Sequence, residues 1–497
     1  MSILRIANLA SNSTFNSGDF NVTWSIVFGV LAVLTILLLS NLLRRIIPFL
    51  RKSLLPVAFI GGAIGLGLKI AFQYSELAVT GLDVYTDGFK TMLQVITYHA
   101  LAIGFIALGL KTVNKERAKS KEMGRDTVKS GLIIIGSYLL QAIIGVSVTI
   151  VLSLIFSSIV PYAGIILPLG FGQGPGQAMT WGSTYEGFGF AGGTDFGITI
   201  STLGFLSAAV GGVFYLNYAA KKGYVKRRDE SDNAPQSNEL VEKHGEVPLS
   251  ESIDKLTIQV ALIGITYLLT FAVIYPLSLI PIAFVQNTIA PLLFGFNFIV
   301  GTMIAMLVKK VLAGLHNKKV IKKQYVNNFM LERIAGLSFD IMIIASIMAI
   351  DIRNLADTGL IIALVSVCGI GAVATFFYVK YMTFRAFPGY KHQGFVTFYG
   401  NLTGTASDGI ALLREIDPTF ITPSADTLVY GSTVAIALGF PVLLIVGFIH
   451  GGGNNTLTSL PLWVSYGILI AYFIAINFLF FFLIKRHKKK DSQAQPQ

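Results

Sequence analysis

Two short stretches hold most of the residues able to bind something. The first, Gly170 to Gly197, reads GFGQGPGQAMTWGSTYEGFGFAGGTDFG and carries ten of the chain's 50 glycines but no Lys or Arg. The second, Gly394 to Gly409, reads GFVTFYGNLTGTASDG. Glycine lets a backbone turn sharply and come close to an ion or substrate, and the N–H and C=O groups freed at such a turn can act as ligands. In the first stretch the tip Gly172, Gln173, Gly174, Pro175, Gly176 and Gln177, with Thr180 beyond it, offers amides and a hydroxyl that suit a polar organic substrate. In the second, Asn401, Thr403, Thr405, Ser407 and Asp408, with carbonyls freed around Gly400 and Gly404, are hard oxygens that suit a cation. Asp408 is equally placed to cap a returning half-helix.

Single charges add to this set. Asp340, in GLSFDIMIIA, is a carboxylate inside an apolar run, and that cost marks it as a functional position and an ion ligand. Arg414 has the forked geometry that grips a carboxylate. It stands about nine residues past the second tip, roughly 14 Å along a helix, which also lets it pair with Asp417 three residues on. Glu186 occupies a similar rim position in the first stretch and reads as structural, and His99 in ITYHALAI reads as a hydrogen-bonded packing residue. Other chemistries lack their groups. The one cysteine, Cys368, excludes disulfides and Cys-based metal sites. None of the six histidines stands i, i+3 or i, i+4 from another, so a transition-metal site has no ligands. The glycines are not a phosphate loop, because neither a strand before them nor a Lys-Ser/Thr pair after them is present. With no ATP motif and no cluster of acid/base or nucleophilic groups, the chain is not expected to be an enzyme or to need a cofactor.

The elements that position these residues follow from composition. With 53% hydrophobic and 13% charged residues in 497, this is a membrane protein. A bilayer core of about 30 Å needs about 20 apolar residues per helix. Eleven such runs are present, near 24–43, 54–73, 90–111, 130–157, 194–219, 256–280, 290–313, 334–351, 358–384, 426–449 and 459–484. Of the 38 Lys and Arg, 34 fall in alternate loops and the tail, while Arg5, Lys69, Lys90 and Arg353 lie toward the other side. The +12 charge is therefore an orientation signal and not a nucleic-acid patch; it sets the N-terminus outside and the C-terminus in the cytoplasm. The polar first 23 residues show no cleavable signal peptide. The segment 221–255 reads as a flexible cytoplasmic linker.

The linker separates two halves with the same order of parts: four spans, a glycine-rich interruption, and a fifth span. Five is odd, so the second half is inverted if neither interruption crosses the membrane. The sequence thus predicts an all-α polytopic protein of about 11 transmembrane helices. The first repeat is 1–220 with a re-entrant hairpin at about 161–193, and the second is 256–450 with a hairpin at about 388–418. An extra span and basic tail occupy 451–497. The tips lie near Gly174 and Gly404, close to the bilayer midplane. Inverted repeats with broken helices meeting there are how secondary transporters bind substrate and coupling ion. A channel or a membrane enzyme is the alternative in another class.

The tip GQGPGQA, followed by YEGFGF and by ISTLGFLSAAVGGV, resembles the bacterial sodium/glutamate symporter family, which has a Gly-rich tip, a YGF and a glycine-rich span in the same order. LLRRIIPFLRKSLLPVAFIGG and LAIGFIALGLK are similar as well. The likeness implies a Na⁺-coupled symporter of glutamate or a related amino acid or dicarboxylate in the bacterial cell membrane. It further implies a homodimer in which a transport domain moves against a scaffold. The family's usual His in the first tip is Gln173 here, its Thr is Pro175, and the second hairpin shares Gly/Thr/Ala character without a close match. H⁺ in place of Na⁺, with another organic anion as cargo, stays open.

Overall fold

In the computed structural model the described residues are 14–17, 20–52, 55–73, 87–112, 121–226, 255–282, 285–286, 290–321, 325–418, 421–452 and 457–493. Most of the expected linker lies outside them. A two-stranded antiparallel ribbon, Thr14–Ser17 with Phe20–Thr23, precedes the first long helix. The rest is helical. We number the principal helices α1 (Trp24–Ile46), α2 (Val57–Gln73), α3 (Asp87–Leu110), α4 (Lys121–Ser153), α5 (Pro175–Glu186), α6 (Gly193–Lys221) and α7 (Lys255–Ser278). They continue as α8 (Asn297–Asn317), α9 (Asn328–Ala349), α10 (Thr358–Ala386), α11 (Lys391–Thr403), α12 (Ala406–Arg414), α13 (Ser424–Phe448) and α14 (Leu460–Gln493). A helical arm, Ala163–Gln173, leads into α5.

Nine of the described helices are long and apolar enough to cross a membrane. All eleven expected runs are helical, α2 and α9 being the two outside that nine. One boundary differs usefully. The apolar run of α4 starts near residue 130, yet the helix begins at Lys121. Its charged first turns are held by partners: Lys129 Nζ donates to Asp126 (3.0 Å) and to the Ala386 carbonyl, and Tyr390 Oη donates to Asp126 (2.7 Å).

The chain divides into two compact units, and each draws on both halves of the sequence. The first holds α1 to Leu42, α2 from Ile60, α3, α7, α8 and α9. Its core is Ile106, Ala107 and Leu110 of α3 with Ile263, Ala305, Leu331 and Ala335. His99 bonds Tyr267 Oη at 2.7 Å, as its hydrogen-bonded reading expects, and Tyr267 also takes a bond from Asn297. The second unit holds α4, the arm with α5, α6, and everything from Ile350 onward. Its fully buried aromatic residues include Tyr185, Phe171, Phe196, Phe205, Phe395 and Phe398. Both glycine-rich stretches fall in this unit.

Candidate functional site

Each stretch folds as two helical pieces separated by a break. In the first, the arm ends at Gln173, and Gly174 takes φ 91°, ψ 178°, a conformation open to glycine and strained for other residues. Pro175 is the first residue of α5, where its missing N–H costs nothing and its fixed φ suits the helix. In the second, α11 ends at Thr403, Gly404 turns the chain, and α12 starts at Ala406. The breaks stand where the sequence put the two tips.

Close backbone packing fixes what each break faces. A Cβ on Gly182 would collide with the carbonyl of Gly193, and one on Gly197 with the carbonyl of Ala178, so α5 and α6 run antiparallel with their backbones almost touching. A Cβ on Gly170 would lie 3.1 Å from both the N and Oγ of Ser201. Three residues along α6, a Cβ on Gly204 would stand 2.5 Å from the carbonyl of Thr403. Helix α4 repeats the pattern. Tyr138 Oη donates to the Gly172 carbonyl at 2.9 Å, and three residues on Gln141 Nε2 donates to the Leu402 carbonyl at 2.9 Å and to Thr375 Oγ1 at 3.0 Å. The two breaks therefore lie side by side, each gripped by both α4 and α6.

This arrangement leaves polar groups without partners. No side chain caps the N-terminus of α5, although Pro175 through Met179 are buried. Gln177, on its first turn, is fully buried, and neither amide atom has a hydrogen-bond partner among the described residues. A buried helix end and a buried amide each cost about 1–3 kcal/mol per unmet group. Thr180, half-buried, spends its hydroxyl on the Gly176 carbonyl (2.8 Å), and Gln173 is half-buried beside the break.

At the second break, Thr405 and Asp408 form a capping box: Asp408 Oδ2 accepts from the N–H (2.7 Å) and the Oγ1 (2.8 Å) of Thr405. Gly400, Asn401 and Thr403 are buried, and Ser407 is exposed. Arg414, the last residue of α12, is exposed. The expected Arg414–Asp417 pair does not form, because Asp417 instead accepts from the N–H groups of Ile421 and Thr422 (both 2.9 Å) and pins the following loop. Glu186 caps α6 through the N–H and hydroxyl of Thr194 (3.1 and 2.6 Å), the structural part expected of it. Asp340 belongs to the first unit, half-buried on α9 and with no hydrogen-bond partner among the described residues. No group of three or more metal-ligating His, Cys, Asp or Glu is found among the described residues.

Tyr138, Gln141, Thr375 and Ser201 escaped the sequence reading. Gln141, an amide in the apolar run SYLLQAIIG, carries the one signal that could have found it; the hydroxyls look like ordinary helix residues.

The model of one protein family, described as the sodium/glutamate symporter, matches residues 22–403, from the second strand of the ribbon to the last residue of α11. No curated protein matches the chain. With most of its length matched in this way, the chain, a multi-pass membrane protein, belongs to the sodium/glutamate symporter family.

Proposed function

We propose that this protein is a sodium:glutamate symporter, or a symporter of a closely related amino acid or dicarboxylate, working by alternating access. The observation that carries the reading is the pair of helix breaks held side by side between α4 and α6, with the uncapped N-terminus of α5 and the unpartnered Gln177 amide buried beside them. An amino-acid substrate meets both, its ammonium group donating to Gln177 Oε1 and its carboxylate accepting from the N–H groups. The carboxylate also gains from the positive end of the helix dipole and takes a bond from the Gln177 amide. The tip Gly172, Gln173, Gly174, Pro175 and Gly176 shapes this pocket, and Thr180 lines its far side. Arg414, exposed at the end of α12, meets the anion on its way in.

The cation is drawn to the carbonyl end of α11 and to the oxygens of Asn401, Thr403, Thr405 and Asp408, with Gly400 and Gly404 allowing close approach and Ser407 at the mouth. The helix order supports eleven crossings, two inverted five-helix repeats with re-entrant hairpins, and a final extra span. In this reading the unit with both breaks carries the cargo, the protein acts as a dimer in a bacterial cell membrane, and the basic loops and tail face the cytoplasm.

Asp340 favours one second reading. A carboxylate inside a spanning helix, with no hydrogen-bond partner among the described residues, is a candidate proton carrier, so H⁺ is the alternative coupling ion. One experiment separates the two: uptake of radiolabelled glutamate into proteoliposomes under an inward Na⁺ gradient, a K⁺ control and an imposed pH gradient. The proposal expects uptake with Na⁺ only. Uptake driven by the pH gradient and lost in Asp340→Asn supports the H⁺ reading, and no uptake under any gradient discards glutamate.

A further inference from the structure

Two buried oxygens outside both hairpins have no hydrogen-bond partner among the described residues. Hydroxyls on α6 normally bond back to the carbonyl one turn earlier, as Thr199, Thr202 and Ser207 do at 2.7–2.9 Å. Ser201 does not: it is 1% exposed, and its Oγ has no partner. On α4, Gln141 is 0% exposed. Its Nε2 is fixed by the Leu402 carbonyl, which can only accept, so the amide cannot turn round, and Oε1 is left without a donor. These atoms flank the breaks from opposite helices. Ser201 lies against the arm at Gly170, one turn before the first break, and Gln141 bonds Leu402 near the second, next to the Thr403 carbonyl at the negative end of α11.

The chemistry of the set narrows the ligand. All its free atoms are neutral oxygen acceptors with no carboxylate among them, and a helix C-terminus adds partial negative charge. Divalent cations draw several carboxylates into their shells, so neutral oxygens with one dipole fit a monovalent hard cation. We propose that Ser201 Oγ and Gln141 Oε1 are ligands of the coupling Na⁺, joined by the Thr403 carbonyl. This rests on the symport reading above and adds two ligands on continuous helices, outside the hairpins. It also gives coupling a physical basis: a cation shared between α4, α6 and the end of α11 draws together the two breaks, and so completes the substrate cradle at Gln177.

The test uses the full-length protein purified in detergent, without substrate. NaCl is titrated against choline chloride at constant ionic strength, with KCl as the control, and the unfolding midpoint is followed. Wild type is expected to show saturable stabilisation by Na⁺ and none by K⁺. Ser201→Ala, and Ser201→Cys, which keeps the shape but replaces a hard oxygen with sulfur, are each expected to raise the Na⁺ half-saturation tenfold or more. Gln141→Met is expected to do the same, and size exclusion checks that every variant is folded. If wild type responds to Na⁺ while both Ser201 variants keep its half-saturation within threefold, the proposed ligands are wrong and the symport reading stands. If those variants weaken glutamate binding at saturating Na⁺ but leave the Na⁺ response unchanged, the oxygens hold the substrate's ammonium group, and the proposal again falls. If wild type shows no Na⁺ response, the symport reading fails, and this proposal fails with it.

Discussion

Gln177 is where a single residue has most to say. A fully buried amide with two unmet atoms is destabilising by itself, and a ligand that meets them recovers that cost as binding energy. Gln177→Leu keeps the volume and removes both groups. It is expected to raise KM for the transported substrate by about tenfold to about a hundredfold, with the unfolding midpoint of the ligand-free protein unchanged or higher. Uptake kinetics and thermal unfolding of the same preparation check both halves. Asp357 gives a pH-dependent counterpart. Its carboxylate accepts from Ser158 Oγ (2.6 Å) and from the N–H of Leu360 (3.0 Å), which caps α10. These bonds hold its carboxyl below the usual carboxylate range. A depressed folded pKa means that the stabilisation is fully present above the unfolded value near 3.9 and is lost as pH falls through the lower folded value. Asp357→Asn is therefore expected to lower the unfolding midpoint near neutral pH, with the gap from wild type closing below about pH 4. A gap independent of pH would assign the effect to something other than this carboxylate.

Among the elements, the breaks stay in register because helices approach to backbone contact. Helix α4 crosses the arm at Gly145 and Gly164, where a Cβ on either would collide with the other's backbone. A backbone cannot yield as a side-chain tip can, so Gly145→Ala is expected to destabilise by about 1–3 kcal/mol through overpacking. It is also expected to reduce transport, because the arm it displaces carries the first break. Gly264 on α7 meets nothing within 4 Å, and Gly264→Ala is expected to be neutral or to stabilise by up to about 1 kcal/mol. Unfolding midpoints of the two variants side by side decide whether packing or helix propensity governs these glycines.

For the whole molecule, the two halves of the chain and its two compact units divide it differently. The halves are successive in sequence, while each unit collects helices from both, with α4, α5 and α6 joining α10 to α14 in the unit that carries the breaks. The proposed orientation rests on charge. With 34 of 38 basic residues on alternate loops and the tail, a C-terminal green fluorescent protein fusion is expected to fluoresce, and an alkaline phosphatase fused at the N-terminus is expected to be active outside. The reverse pattern would invert the assignment of both hairpins to their faces.

The sequence by itself determined the solvent, the helices and the two places where helices stop. Apolar run length reports the bilayer directly, glycine with proline reports a turn, and both are local properties of consecutive residues. It also carried the family likeness through the tip and the span after it. Which residues face the breaks was a matter for the tertiary structure. Ser201 and Gln141 are about 60 residues apart in sequence, and Gln141 meets Leu402 across 261 positions, a separation no periodicity encodes. A serine on a helix bonds to its own backbone or is held off it by a neighbouring element, and the sequence is the same in both cases. Arg414 and Asp417 show the converse: spacing allowed a pair, and the loop after α12 claimed the carboxylate first.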